Sequence, residues 1–141
     1  CGTLAHEDVI EYYRTSDLFI LGCRIAENGD RDGIPNVMAE SMAMKLPVVA
    51  TDVSGLPEFL EDGVTGRVVP PDDPGAMAGA IRNLLEDRSL RRLVSENARR
   101  RVVSDFNNQI LIQDLARIYQ ENIPGLVSPD SGRSAGQTRA A

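Results

Sequence analysis

Three short, nearly continuous apolar runs set the limits on this fold: LFIL at 18–21, PVVAT at 47–51 and GRVV at 66–69. Runs of this length without in–out alternation mark strands buried on both faces, as in a parallel sheet. Around them lie HEDVIEYYR (6–14), PNVMAESMAM (35–44) and LPEFLED (56–62), each patterned as a helix. Strand alternating with helix predicts right-handed crossovers and an α/β, doubly wound parallel sheet. CGTL at 1–4 reads as the stump of a fourth strand. Sheets of this type usually carry more strands than four, so the pattern predicts an N-terminally incomplete domain.

The second half is helical. Asp72 or Asp73 can cap a helix with Pro74 in its first turn, and Ala76, Met77, Ala80, Ile81, Leu84 and Leu85 form its apolar stripe. Ser89 is the expected cap of the next helix, where Leu90, Leu93, Val94, Ala98 and Val102 share a face. A third is expected from Phe106 to Tyr119, with Ile110, Leu111, Leu115 and Ile118 facing inward. From Pro124 the sequence loses periodicity and aromatics. The expected organisation is therefore one domain over 1–123 and a disordered tail over 124–141.

Composition narrows the function classes. No stretch approaches the roughly 18 apolar residues of a membrane span, and no basic-then-apolar leader opens the chain. Cys1 and Cys23 fit neither a zinc site nor a disulfide framework, which favours a reducing, cytoplasmic setting. The net charge of −6 argues against non-specific nucleic-acid binding. Charge is uneven, however: residues 1–72 hold 13 acids and 5 bases, whereas residues 73–141 hold 8 acids and 10 bases. The later arginines, among them Arg91, Arg92, Arg99, Arg100 and Arg101, read as solvated helix faces.

The chemistry concentrates in RDGIPNVMAE at 31–40. Pro35 suits a first helical turn, which leaves the amides of Asn36, Val37 and Met38 without intrahelical partners. With Gly33 allowing close approach, these amides would cradle an anion such as a phosphate at the carboxyl end of a strand. Asp32 would repel that phosphate unless it meets neutral donors, and sugar hydroxyls are such donors. Glu40 lies one turn after Asn36 in an apolar helix, and a ribose diol would supply the donors that a buried carboxylate needs. Two plainer readings stay open: Asp32 as a capping acid, with Glu40 paired to an arginine. A calcium loop starting at Asn28, Asp30 and Asp32 is disfavoured, because its twelfth position is Ala39.

The run DGIPNVMAESMAMKLPVVATDVSGLPEFLEDGVTGRVVPPDD (32–73) strongly resembles the carboxyl-terminal domain of retaining GT-B-fold glycosyltransferases, family four (glycosyl transferases group 1). GTLAHEDVIEYYRTSDLFI (2–20) is similar to the segment just upstream, and the resemblance reaches about residue 120. It implies a Rossmann-like domain, the donor-binding half of an enzyme moving sugar from a UDP-, GDP- or ADP-linked donor to an acceptor hydroxyl, with no required metal or other cofactor. By this resemblance Asp32, Gly33 and Ile34 contact the donor sugar, Pro35, Asn36 and Val37 the diphosphate, and Glu40 the ribose. Gly2, Thr3 and Leu4 border the base, Glu58 helps to shape the site, and the Phe106–Tyr119 helix returns toward a partner domain.

That absent domain would bring the acceptor (glycan, lipid or small molecule), the diphosphate-neutralising bases and any peripheral membrane contact. The chain alone is thus expected to be inactive, and no catalytic residue is assigned. The alternative is a non-catalytic sugar-nucleotide-binding or interaction module of the same fold. Three departures from the family pattern stand out: Asp32 for the commoner Glu, Gly22-Cys23 for Pro-Ser, and Lys45 where the helix usually ends in Gly.

Overall fold

The computed structural model describes residues 2–31, 33 and 35–123. Cys1, Asp32, Ile34 and the tail expected at 124–141 lie outside the described residues. The order is α1 (His6–Thr15), β1 (Phe19–Leu21), α2 (Asn36–Ala43), β2 (Val48–Thr51), α3 (Leu56–Phe59), β3 (Arg67–Val69), α4 (Pro74–Glu86), α5 (Arg88–Asp105) and α6 (Asn108–Asn122). The three strands pair in parallel in the order β1-β2-β3, with Ile20 opposite Val49 and Ala50 opposite Val68. Each predicted apolar run has become a strand. The expected fourth strand has not: among the described residues, Gly2 to Leu4 are exposed coil, and Gly2 has φ 75.

The absence of alternation in PVVAT has a direct cause. β2 is the central strand, buried along its whole length. Val48 and Ala50 pack with Met38 and Met42 of α2 and Ala98 and Val102 of α5. Val49 packs instead with Ala80 and Leu84 of α4 and with Val94. Helices therefore cover both faces, which makes the sheet doubly wound. On one face Phe59 stacks on Phe106, ring centroids 3.7 Å apart.

Helix ends follow local chemistry. Asp73 accepts a hydrogen bond from the Ala76 amide at 2.8 Å with Pro74 at the first position, as expected. For α5 the cap is Asp87 rather than Ser89: its Oδ1 accepts from the Leu90 amide at 2.8 Å. α2 ends in a Schellman arrangement, in which the Leu46 amide donates to the Ser41 carbonyl and the Lys45 amide to the Met42 carbonyl, each at 3.0 Å. This places Lys45 at φ 60, where a lysine costs roughly 1 kcal/mol relative to glycine. Arg99 donates to the Ala43 carbonyl and satisfies a further acceptor at the same helix end.

The described residues from 107 to 123 belong to a second unit. Within it, the Asn107 side chain caps α6 by accepting from the Gln109 amide at 3.0 Å. Ile110, Leu111, Leu115 and Ile118, the face expected to be inward, are exposed. Among the described residues, no helix is long and apolar enough to cross a membrane.

Candidate functional site

Because β1 and β2 are parallel, the intervening α2 runs back against them, and its N-terminus arrives at the carboxyl ends of the strands. The loop from Gly22 joins that edge. Thr51, the last residue of β2, donates its hydroxyl to the Cys23 carbonyl at 2.7 Å and ties the loop to the sheet. Farther along, Gly29 at φ 83 and the Asn28 side chain, which accepts from the Asp30 amide at 3.0 Å, close a tight turn. Asn28 is thus spent on backbone. Among the described residues, no cluster of His, Cys, Asp or Glu could hold a metal ion.

Pro35 is the N-cap of α2 (φ −68, ψ 127), one position outside the helix, and no side chain caps that end among the described residues. The cradle differs from the expected one by one amide: Met38 N–H donates to the Pro35 carbonyl at 3.0 Å. Among the described residues, no acceptor meets the amides of Asn36 and Val37. Gly33, Asn36 and Val37 are exposed, Pro35 is half-buried, and Met38 is fully buried beneath them. Among the described residues, two amides and the positive dipole end of the helix are thus left without a partner, while Met38 anchors the helix in the core.

One turn on, half-buried Glu40 finds its partner in Tyr13 of α1, and among the described residues it pairs with no arginine. The Tyr13 hydroxyl donates to Glu40 Oε2 at 3.1 Å and lies 3.4 Å from the Val37 carbonyl. Tyr13 is only 8% exposed and meets Phe19 of β1 edge-on, ring centroids 6.1 Å apart. Burial, then the hydrogen bond and negative charge of Glu40, push its hydroxyl pKa up to about 12. Tyr13 therefore remains a donor across the physiological range and fixes one carboxylate oxygen. Among the described residues, the other oxygen of Glu40 has no hydrogen-bond partner. Sequence reasoning missed Tyr13 and Thr51. The one available signal was an aromatic pair, Tyr12-Tyr13, in a chain that is 4% aromatic.

The remaining expected residues are less gathered. Gly2, Thr3 and Leu4 are exposed, ahead of α1. Glu58 is exposed, and its carbonyl accepts from Arg101 at 2.6 Å, so its visible role is to hold α3 to α5. His6 is the exposed first residue of α1. Asp32 and Ile34 lie outside the described residues. Arg24, which sequence reasoning did not single out, lines a cavity of about 220 Å³ at the carboxyl ends of the strands, with Gly22, Cys23 and Thr51.

Comparison with known proteins bears on the family and the fold. Residues 1–87 match the family model described as glycosyl transferases group 1. An amylovoran biosynthesis glycosyltransferase of Erwinia amylovora is 34% identical over 119 residues, covering 84% of this chain and 29% of that protein. Sucrose-phosphate synthase of Thermosynechococcus elongatus superposes with a TM-score of 0.72 at 28% identity, over 86% of this chain and 29% of that one. HepE of Anabaena, solved in complex with UDP-glucose, superposes with a TM-score of 0.74 at 24% identity, over 86% and 31%. The chain thus spans under a third of the length of these proteins, and the fold they share with it is of the GT-B type.

Proposed function

The chain belongs to the glycosyl transferases group 1, and we propose that it is the donor-binding part of a retaining enzyme using a nucleotide-diphospho-sugar. One observation carries the reading: a carboxylate held by Tyr13 stands one turn after a helix N-terminus that, among the described residues, no side chain caps. Each half suits a different part of the donor. The amides of Asn36 and Val37 and the dipole of α2 would meet the diphosphate. The second oxygen of Glu40 would accept from the ribose diol. Asp32 and Ile34, with Gly33, would meet the transferred sugar. Gly2 to Leu4 would border the base.

In this reading the chain binds and orients but supplies no nucleophile. Retention would follow from departure of the diphosphate on the face where the acceptor hydroxyl enters, with that hydroxyl's proton passing to the leaving phosphate oxygen. The acceptor, a glycan, lipid or small molecule, would be held by residues beyond this chain, so the chain alone would bind donor without transferring it. That HepE was solved with UDP-glucose supports a UDP-sugar as the first donor to try.

The test is calorimetric titration with UDP-, GDP- and ADP-glucose, with Glu40→Gln alongside. Loss of a charge-assisted hydrogen bond worth about 1.5–3 kcal/mol predicts roughly 10- to 100-fold weaker binding. Equal affinity in wild type and variant would remove Glu40 from the site.

A further inference from the structure

The opposite edge of the sheet carries a feature that donor binding does not use. Where β1 and β2 begin, a cavity of about 460 Å³ is lined by Arg14, Lys45, Arg88, Arg91 and Arg92, together with Asp17 and Pro47. A second, of about 830 Å³, adjoins it through the shared residues Lys45 and Glu96 and adds Arg99 and Arg100. Seven of the chain's fifteen basic residues therefore line one trough, against two acids, in a molecule whose net charge is −6. The only lysine in the sequence is among them.

The trough has a direction. At about 100° per residue, Arg88, Arg92 and Arg99 fall within about 40° of one another around α5, and they span about 16 Å of its length. Arg14 reaches the same groove from α1, and Lys45 from the end of α2. Local pairs only partly neutralise it: Arg92 meets Glu96 at 3.3 Å and Arg14 meets Glu11 at 3.6 Å. Among the described residues, Lys45, Arg88 and Arg91 form no ion pair. Lys45 also occupies a left-handed backbone position that favours glycine, so a charge stands here against local conformational preference.

We infer that this trough is a docking site for a linear polyanion, a chain bearing repeated phosphate, sulfate or carboxylate groups. Guanidinium groups match those anions in a planar, two-pronged geometry. A row of them along a helix suits an extended chain better than a single compact anion. A bilayer is the poorer match, because it presents a plane to a concave groove. The trough begins where the strands begin and the candidate donor site lies where they end, with Tyr13, which holds Glu40, lining the first cavity as well.

The test is titration of the full chain with inorganic polyphosphate and, separately, an oligogalacturonate, which distinguishes phosphate from carboxylate sources. Arg88→Glu/Arg92→Glu is compared with a charge-matched control, Arg82→Glu/Arg117→Glu, and circular dichroism confirms that both fold. Binding of either polymer, weakened about tenfold or more in the trough variant but little in the control and with a shallower salt dependence, is the expected result. Three results would each overturn the inference: no binding of either polymer at low salt, equal loss in both variants, or binding only to phosphatidylglycerol vesicles.

Discussion

Replacing Tyr13 with phenylalanine deletes one hydroxyl and keeps a ring that is 8% exposed and packed edge-on against Phe19. What is lost is the 3.1 Å hydrogen bond to Glu40 Oε2. Hydrogen bonds to charged groups contribute about 1.5–3 kcal/mol, and a half-buried acceptor that water can partly reach belongs near the lower end, so about 1–2 kcal/mol is expected. Urea unfolding at neutral pH reads this directly.

An alkaline series adds a sharper signature. The Tyr13 hydroxyl is raised from 10.0 to about 12 on folding. Its contribution is fully present below pH 10 and is lost as pH rises toward 12, because the unfolded chain releases that proton first. Wild-type stability should therefore fall across that window by up to about 1.4 kcal/mol per pH unit from this group, and Tyr13→Phe should lack that share. Donor affinity should drop in the same variant, since Glu40 loses the contact that fixes its carboxylate. An unchanged urea midpoint together with an unchanged alkaline limb would refute the reasoning.

Other perturbations test the scaffold. A Cβ added at Gly66 would meet the Val48 carbonyl oxygen at 2.8 Å and Leu60 Cδ2 at 2.7 Å. The leucine can move but the β2 backbone cannot, so Gly66→Ala should cost about 2–3 kcal/mol by denaturant unfolding. Lys45→Gly relieves the φ 60 conformation and should raise stability by about 1 kcal/mol in the same assay. Asp87→Ala removes the cap of α5 and should cost about 1 kcal/mol, whereas Ser89→Ala should change little.

The parts of this molecule that were legible in sequence are those encoded locally. Three apolar runs became three parallel strands because burial on both faces removes alternation, and Asp73-Pro74 opened a helix as their chemistry requires. The cap of α5 was harder to place, and Ser89 was the residue expected there. Asp87 prevails over Ser89 because the helix starts at Arg88, a boundary that periodicity locates only to within a turn. CGTL carried too little pattern to distinguish a strand from the exposed coil that Gly2 to Leu4 adopt.

In the candidate site, the acid–turn–helix spacing pointed to the edge where α2 begins, but Pro35 stands outside the helix and takes the Met38 amide for its own carbonyl. The contact between Tyr13 and Glu40 spans 27 residues and exists only once α1 and α2 pack beside β1. No local rule reaches that far. The arginines read as solvated faces are exposed for the most part, yet the crossover geometry brings Arg14 and Lys45 to the same groove.

A nucleotide-sugar is expected to bind at the edge where α2 begins. Amide NMR of the chain, titrated with millimolar UDP-, GDP- and ADP-glucose, tests it most directly. At least one donor should shift the signals of Gly33, Asn36, Val37 and Glu40, and Glu40→Gln should weaken the response. No shift with any of the three, or shifts gathered at Arg88 to Arg92 instead, would contradict it.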